Sequence, residues 1–211
     1  MSASCRTPGI MTEAAAPDDG ATRRVLLVVL VINATMFAVE GLSGLLSGSL
    51  ALQADALDFL GDSLTYGVSL YVVGRSLAWR AGAAMLKGSA MGLFGVWILA
   101  AALARAFAGP TPEAAVMGIV GFLALGANVA AALLLYRFRR GDANLRSVWL
   151  CSRNDALGNV AVMLAAAGVF GSASRWPDLA VAVLLASLAI SAAWQILRQA
   201  RGELRAGVPA E

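Results

Sequence analysis

Six apolar stretches leave this chain little freedom in what it can become. They run near residues 24–45, 50–74, 86–107, 114–136, 145–170 and 177–198, with short clusters of charge between them. Each approaches the roughly 20 residues that an α-helix needs to cross a bilayer. Only 14% of the residues are charged and 59% are hydrophobic, against roughly 25% charged in soluble domains. A soluble globular fold is therefore excluded. The expected fold is an all-α integral membrane protein with six transmembrane helices. A cytoplasmic N-terminal tail is expected over 1–22, one membrane domain over 23–198, and a short cytoplasmic tail over 199–211.

Orientation follows from the distribution of Lys and Arg, which accumulate on the cytoplasmic side of membrane proteins. Arg6, Arg23, Arg24, Arg75, Arg80, Lys87, Arg137, Arg139, Arg140, Arg146, Arg198, Arg201 and Arg205 fall on one side of a six-span arrangement. Arg105 and Arg175 fall on the other, and Arg153 lies within a span. Both termini are thus predicted in the cytoplasm, and compact loops point to a bacterial inner membrane. The net charge of +3 records this topology, and no nucleic-acid partner is implied. The first stretch is too long for the apolar region of a signal peptide and contains Asn33 and Glu40, so it is read as a retained span. Cys5 and Cys151 are far apart and supply no disulfide framework.

The polar residues inside the apolar stretches carry the chemistry, because an ionisable group in a membrane is expensive and marks a functional site by default. Asp55, Asp58 and Asp62 recur at spacings of three and four in LQADALDFLGDSLTYGVSLYVV, which aligns them on one stripe of a helix. Stacked carboxylates repel one another, and a bound cation or shared protons would relieve that. Asp55 lies about a turn into its span and could sit at the wet interface. Cys151 and Asp155 form a second i, i+4 pair in SVWLCSRNDALGNVAVMLAAAGVF. Counting about 1.5 Å per residue through antiparallel spans, Asp58 can be level with Asp155, and Asp62 with Cys151. Four metal-capable side chains then meet near the midplane.

The remaining intramembrane polar groups leave more than one role open. Asn33 and Glu40 are seven residues apart and share a helix face. They serve either as interhelical hydrogen-bonding glue or in proton or metal traffic. Asn128 reads as structural, and Asn159, a turn beyond Asp155, as a weak oxygen donor. Arg153 points away from the Cys151–Asp155 pair and either snorkels to the surface or pairs with an acid such as Glu40. Gly44 and Gly48 signal close helix packing.

Together, Asp58-x-x-x-Asp62 and Cys151-x-x-x-Asp155 on six spans resemble the cation diffusion facilitator family. The segments SGSLALQADALDFLGDSLT and NDALGNVAVM are similar to that family's motif segments, and Asn33, Glu40, Asn128 and Asp178 fit its pattern. The likeness covers about residues 24–198. It implies a homodimer in which each protomer binds one divalent metal tetrahedrally between spans two and five. It also implies exchange of cytoplasmic metal for external protons by alternating access. Carried over, the metal ligands are Asp58, Asp62, Cys151 and Asp155. Three features depart from the pattern. Cys151 stands where His or Asp is usual, the sequence has no histidine, and it stops shortly after span six, where many members carry a folded cytoplasmic domain.

Three carboxylates and a thiolate around a divalent ion are costly at low dielectric. Metal ligands bind in their deprotonated forms, so protons and metal compete for one pocket. One Cys among carboxylates favours zinc or cadmium over manganese or magnesium. The functional expectation is efflux of a divalent transition metal by metal/proton antiport. It involves no catalytic residue and no resident cofactor, the metal being cargo. Its partners are the bilayer, metal ions, protons and a second copy of the chain. A proton-coupled exporter of organic cations is the alternative, and an intramembrane metalloenzyme a more distant one.

Overall fold

The computed structural model describes residues 20–71, 77–107, 109–136 and 143–206. The expectations for Cys5, for most of the basic loop between spans four and five, and for the last residues of the C-terminal tail lie outside these. The described chain is entirely helical: α1 (Gly20–Ser47), α2 (Leu50–Tyr71), α3 (Leu77–Phe107), α4 (Ala114–Leu135), α5 (Ala143–Ser172) and α6 (Trp176–Ala206). The six expected spans are all present as helices, but their ends differ. α3 begins at Leu77 instead of near 86, and α6 runs on to Ala206 instead of stopping near 198. The extensions contain Leu, Ala, Arg and Gln, which are good helix formers. Hydropathy marks where the apolar zone ends, and the helices continue past it.

Five helices are long and apolar enough to cross a membrane, within Arg23–Ser47, Ala81–Phe107, Ala114–Leu135, Asp155–Ser172 and Trp176–Gly202. α2 is the exception among the described helices. Its 22 residues reach about 33 Å, so length does not disqualify it. Asp55, Asp58 and Asp62 do, by lowering its hydropathy.

Burial explains how such a helix is tolerated. α2 is the one helix that touches all five others among the described residues, while α3 packs chiefly on α6, α4 on α5, and α1 on α2. Residues Leu50 to Leu57 are all buried. Of these, Leu50, Ala51, Leu52, Ala54 and Leu57 pack into a core with Ile98, Met117, Val162, Val169 and Leu185. The bundle exterior is the reverse of a water-soluble one, with Leu46, Leu93, Phe107, Phe170 and Leu188 exposed. Apolar surface on this scale fits lipid as its environment.

The α1–α2 turn is tight and its hydrogen bonds are fully specified. Gly48 takes a φ of +73°, the left-handed conformation that ends helices at low cost only for glycine. Ser49 then caps α2, its Oγ accepting from the Leu52 N–H at 3.1 Å. Gln53 Nε2 donates to the Gly44 and Ser49 carbonyls, each at 3.0 Å. Asp178, at the start of α6, completes the cap. It accepts from Ser49 Oγ at 2.6 Å and from the Leu50 and Ala51 N–H groups at 3.0 Å. Arg105 donates to the Gly48 carbonyl, and the Glu113 N–H to the Ser47 carbonyl at 3.0 Å. Arg175 does the same at the end of α3, donating to the Ala106 carbonyl in its last turn at 3.4 Å and to the Gly109 carbonyl just past it at 2.7 Å. The two basic residues at this end of the bundle therefore satisfy helix-terminal carbonyls.

Gly44 permits the close approach of α1 and α2. A Cβ there would lie 2.8 Å from Gln53 Cγ and 3.0 Å from the Gln53 backbone nitrogen. Gly44→Ala is expected to cost about 1–3 kcal/mol through overpacking, seen as a lower unfolding midpoint in detergent. Gly41→Ala, with nothing within 4 Å of its Cβ, is the matched control and should leave the midpoint in place.

Candidate metal site

The residues that could hold a cation come from α2 and α5. Asp62 is 9% exposed, and its Oδ2 accepts from the Tyr66 hydroxyl at 3.0 Å. That bond leaves the other carboxylate oxygen open to a second partner. Asp58, one turn nearer the α1–α2 turn, is half-buried, as is Asp155 on α5. The helical spacing gives Asp58 and Asp62 one face of α2, and α2 meets α5 directly.

The register between the two helices is fixed by a glycine. A Cβ on Gly158 would lie 3.5 Å from Asp55 Oδ1, so α5 passes Asp55 with its backbone at that point. Asp58 lies three residues further along α2, and Asp155 three residues earlier on the antiparallel α5. Both are displaced by about 4.5 Å in the same direction. Asp58 and Asp155 therefore lie at about the same depth. Cys151 sits on α5, a turn beyond Asp155 towards the end where α2 finishes. Its side chain, like that of Arg153, falls outside the described ones. Among the described residues no three Cys, Asp or Glu side chains converge closely enough to hold an ion.

A second polar group lies closer to the α1–α2 turn. Asp55 is 1% exposed and Glu40 is fully buried, so Asp55 does not sit at a wet interface. The reason is that α2 is central, with neighbours on every side. The Glu40 carboxyl lies beside that of Asp55 and within electrostatic reach of Asp58. Among the described residues, neither Glu40 oxygen, nor Asp55 Oδ2, nor either polar atom of Asn159 finds a geometrically good hydrogen bond. Asn33 is buried too, but its Nδ2 donates to the Val29 carbonyl of its own helix at 2.8 Å. Among the described residues its Oδ1 has no hydrogen-bond partner. Asn128 is buried on α4.

Sequence reasoning missed Lys87 as part of this region. Counted there only among the cytoplasmic-side cations, it donates to Thr65 Oγ1 on α2 and lies within electrostatic reach of Asp62. Its position inside the apolar part of α3, Ala81–Phe107, was the available signal.

Six described helices, an apolar exterior and a central helix bearing buried carboxylates define an integral membrane protein. Comparison with known proteins narrows the class. The cation efflux transmembrane domain matches residues 26–204. The chain belongs to that family.

Individual relatives agree. The chain is 26% identical to a Bacillus velezensis cadmium, cobalt and zinc/H(+)-K(+) antiporter, covering 90% of this chain and 65% of the relative. It is 31% identical to the zinc transporter ZitB of Pectobacterium atrosepticum, over 92% of this chain and 64% of that one. Against the metal cation efflux protein CzcD of Cupriavidus metallidurans it is 27% identical, over 90% and 64%. The chain thus spans about two thirds of the length of these relatives.

Proposed function

We propose that this chain exports divalent transition-metal ions, zinc and cadmium foremost, by exchange for protons. Asp58, Asp62, Cys151 and Asp155 are its metal ligands. The observation that carries this reading is the register set by Gly158 and Asp55, which brings Asp58 and Asp155 to one depth between α2 and α5. Membership of the family and the printed activities of the relatives support it. The metal is cargo, so the site must bind it and let it go. Ligation draws α5 towards α2, and separation of the two helices releases the ion.

Tetrahedral ligation by one thiolate and three carboxylates suits zinc and cadmium. In this reading two copies of the chain assemble as a dimer in a bacterial inner membrane, with both termini cytoplasmic.

The test is uptake into proteoliposomes under an imposed pH gradient, comparing zinc, cadmium, cobalt, iron(II) and manganese. Gradient-driven uptake of a subset supports antiport and names the cargo. Absence of uptake for every metal, by correctly inserted protein, transfers the reading to export of organic cations by the same carboxylates. Cys151→Ser then assigns the thiol. Loss of zinc and cadmium handling identifies a ligand, whereas an unchanged metal profile makes it packing.

Metal binding must also depend on pH. The ligands bind metal only when deprotonated, so each proton taken up at lower pH removes a ligand. Zinc affinity measured by titration calorimetry is expected to weaken steadily as pH falls. An affinity that stays constant between neutral and mildly acidic pH would overturn the exchange mechanism.

A further inference from the structure

Lys87 sits within the membrane-crossing part of α3, Ala81–Phe107, where a charge is costly unless something offsets it. Its side chain stretches across α2. Its Cε lies 3.7 Å from the position that a Cβ on Gly61 would take, and Met91 Cε and Sδ fill the same trough at 3.1 and 3.2 Å. The bare face of Gly61 thus takes the end of Met91, and the lysine stem packs beside it in ordinary contact. At its end the ammonium donates to Thr65 Oγ1, and that hydroxyl donates to the Gly61 carbonyl at 2.8 Å. Gly61 and Thr65 lie one residue before and three after Asp62, so the cation is held over the turn of α2 that carries this carboxylate. Among the described residues, the charged and titratable groups shown around this turn are Asp62 and Tyr66 from α2 and Lys87 from α3, with Asp58 one turn away on α2.

We propose that Lys87 is a tethered counter-cation of the metal site, which lowers its affinity for divalent ions and speeds their release. The inference rests on Asp62 being a metal ligand, as read above. Three carboxylates and a thiolate exceed the charge of one divalent ion. A fixed positive charge beside Asp62 offsets part of the surplus and repels the arriving metal. A transporter gains from this, because a site that holds its cargo too tightly turns over slowly. The Thr65 hydroxyl sets where the ammonium rests.

The test measures zinc dissociation constants on detergent-purified full-length protein, and zinc uptake kinetics in proteoliposomes. It compares wild type, Lys87→Met, Lys87→Arg and Asp62→Ala. Lys87→Met keeps the stem and removes the charge. It should bind zinc roughly tenfold more tightly and transport it with a lower KM and a lower maximal rate. Lys87→Arg keeps the charge and should restore both parameters towards wild type.

Should Lys87→Met fail to accumulate as folded protein, Thr65→Val tests the same idea by releasing the ammonium, with tighter zinc binding again the expected result. Zinc binding by Lys87→Met, or in its place Thr65→Val, equal to or weaker than wild type overturns the proposal. If wild type binds no zinc, or Asp62→Ala binds it undiminished, the site reading itself is overturned and this inference falls with it. The two failures are thereby told apart.

Discussion

Asp62→Ala is expected to abolish metal transport, with uptake into proteoliposomes reduced to the level of empty vesicles. Loss of a group that merely supports a metal ligand already costs 10–100-fold in affinity. Loss of a ligand should therefore exceed about a hundredfold. The change also leaves the Tyr66 hydroxyl, which donates to Asp62 Oδ2 at 3.0 Å, without that acceptor. Tyr66 is 1% exposed, so no bulk water replaces it. Some of the effect will appear as destabilisation. Asp155→Ala separates the two contributions, since it removes a carboxylate of the same proposed site from a different, half-buried position on α5.

Both variants should lose uptake, and zinc titration should show that binding is lost with it. Uptake that survives both substitutions would sink the α2–α5 site. Loss of uptake with zinc binding intact would instead assign the carboxylates to a later step than capture.

Asp178→Ala should produce the largest loss of stability of any single substitution away from that site. Its carboxylate accepts from Ser49 Oγ, Leu50 N and Ala51 N and is 1% exposed. Removing it strands three buried donors at the positive end of α2. Hydrogen bonds to a charged group contribute about 1.5–3 kcal/mol each, and loss of a cap alone costs about 1 kcal/mol. Partial rescue by Ser49 and by water at the helix end reduces the sum, leaving an expected loss of about 3 kcal/mol or more. A thermal unfolding series in detergent should order the proteins as wild type, Asp178→Asn, then Asp178→Ala, from most to least stable. The asparagine keeps one acceptor oxygen, which accounts for its middle place. An alanine variant as stable as wild type would show that the cap contributes nothing that water cannot supply.

The architecture was largely legible in the sequence because hydropathy in a bilayer is a strong signal over a window of about 20 residues. All six helices could be placed from it. Their ends could not, since Leu77 and Ala206 lie where ordinary helix propensity, and not apolar length, decides. The α2 motif was legible because three aspartates at helical spacing in an apolar run have no bland explanation.

Partnerships across helices were not legible. Nothing near Asp178 in the chain reveals that it caps α2 from α6, since its partners lie well over a hundred residues away. Lys87 entered the sequence reading only as one basic residue on the cytoplasmic side, since sequence gives no rotamer and its bond to Thr65 is visible only in the fold. Asn33 was weighed as glue between helices or as part of proton or metal traffic, and sequence could not show that its amide also bonds the Val29 carbonyl one turn back on its own helix. Asp55 could be given a place at the interface because depth along a helix is visible in sequence, whereas the number of neighbouring helices is not.

The exclusion of α2 from the helices apolar enough to span has a consequence for how the protein is made. A nascent helix carrying Asp55, Asp58 and Asp62 partitions poorly into lipid by itself, at roughly 2.5–3.5 kcal/mol for an aspartate at mid-depth. α1 is already synthesised when α2 leaves the ribosome, and the two-residue link through Gly48 and Ser49 folds them back to back. The pair should therefore enter the bilayer as one hairpin, with Gln53 of α2 bonded to the Gly44 carbonyl of α1. Asp178 arrives more than a hundred residues later in translation. Until α6 is inserted, the N-terminus of α2 lacks its carboxylate, and the membrane holds an incomplete intermediate for the time that four further helices take to emerge.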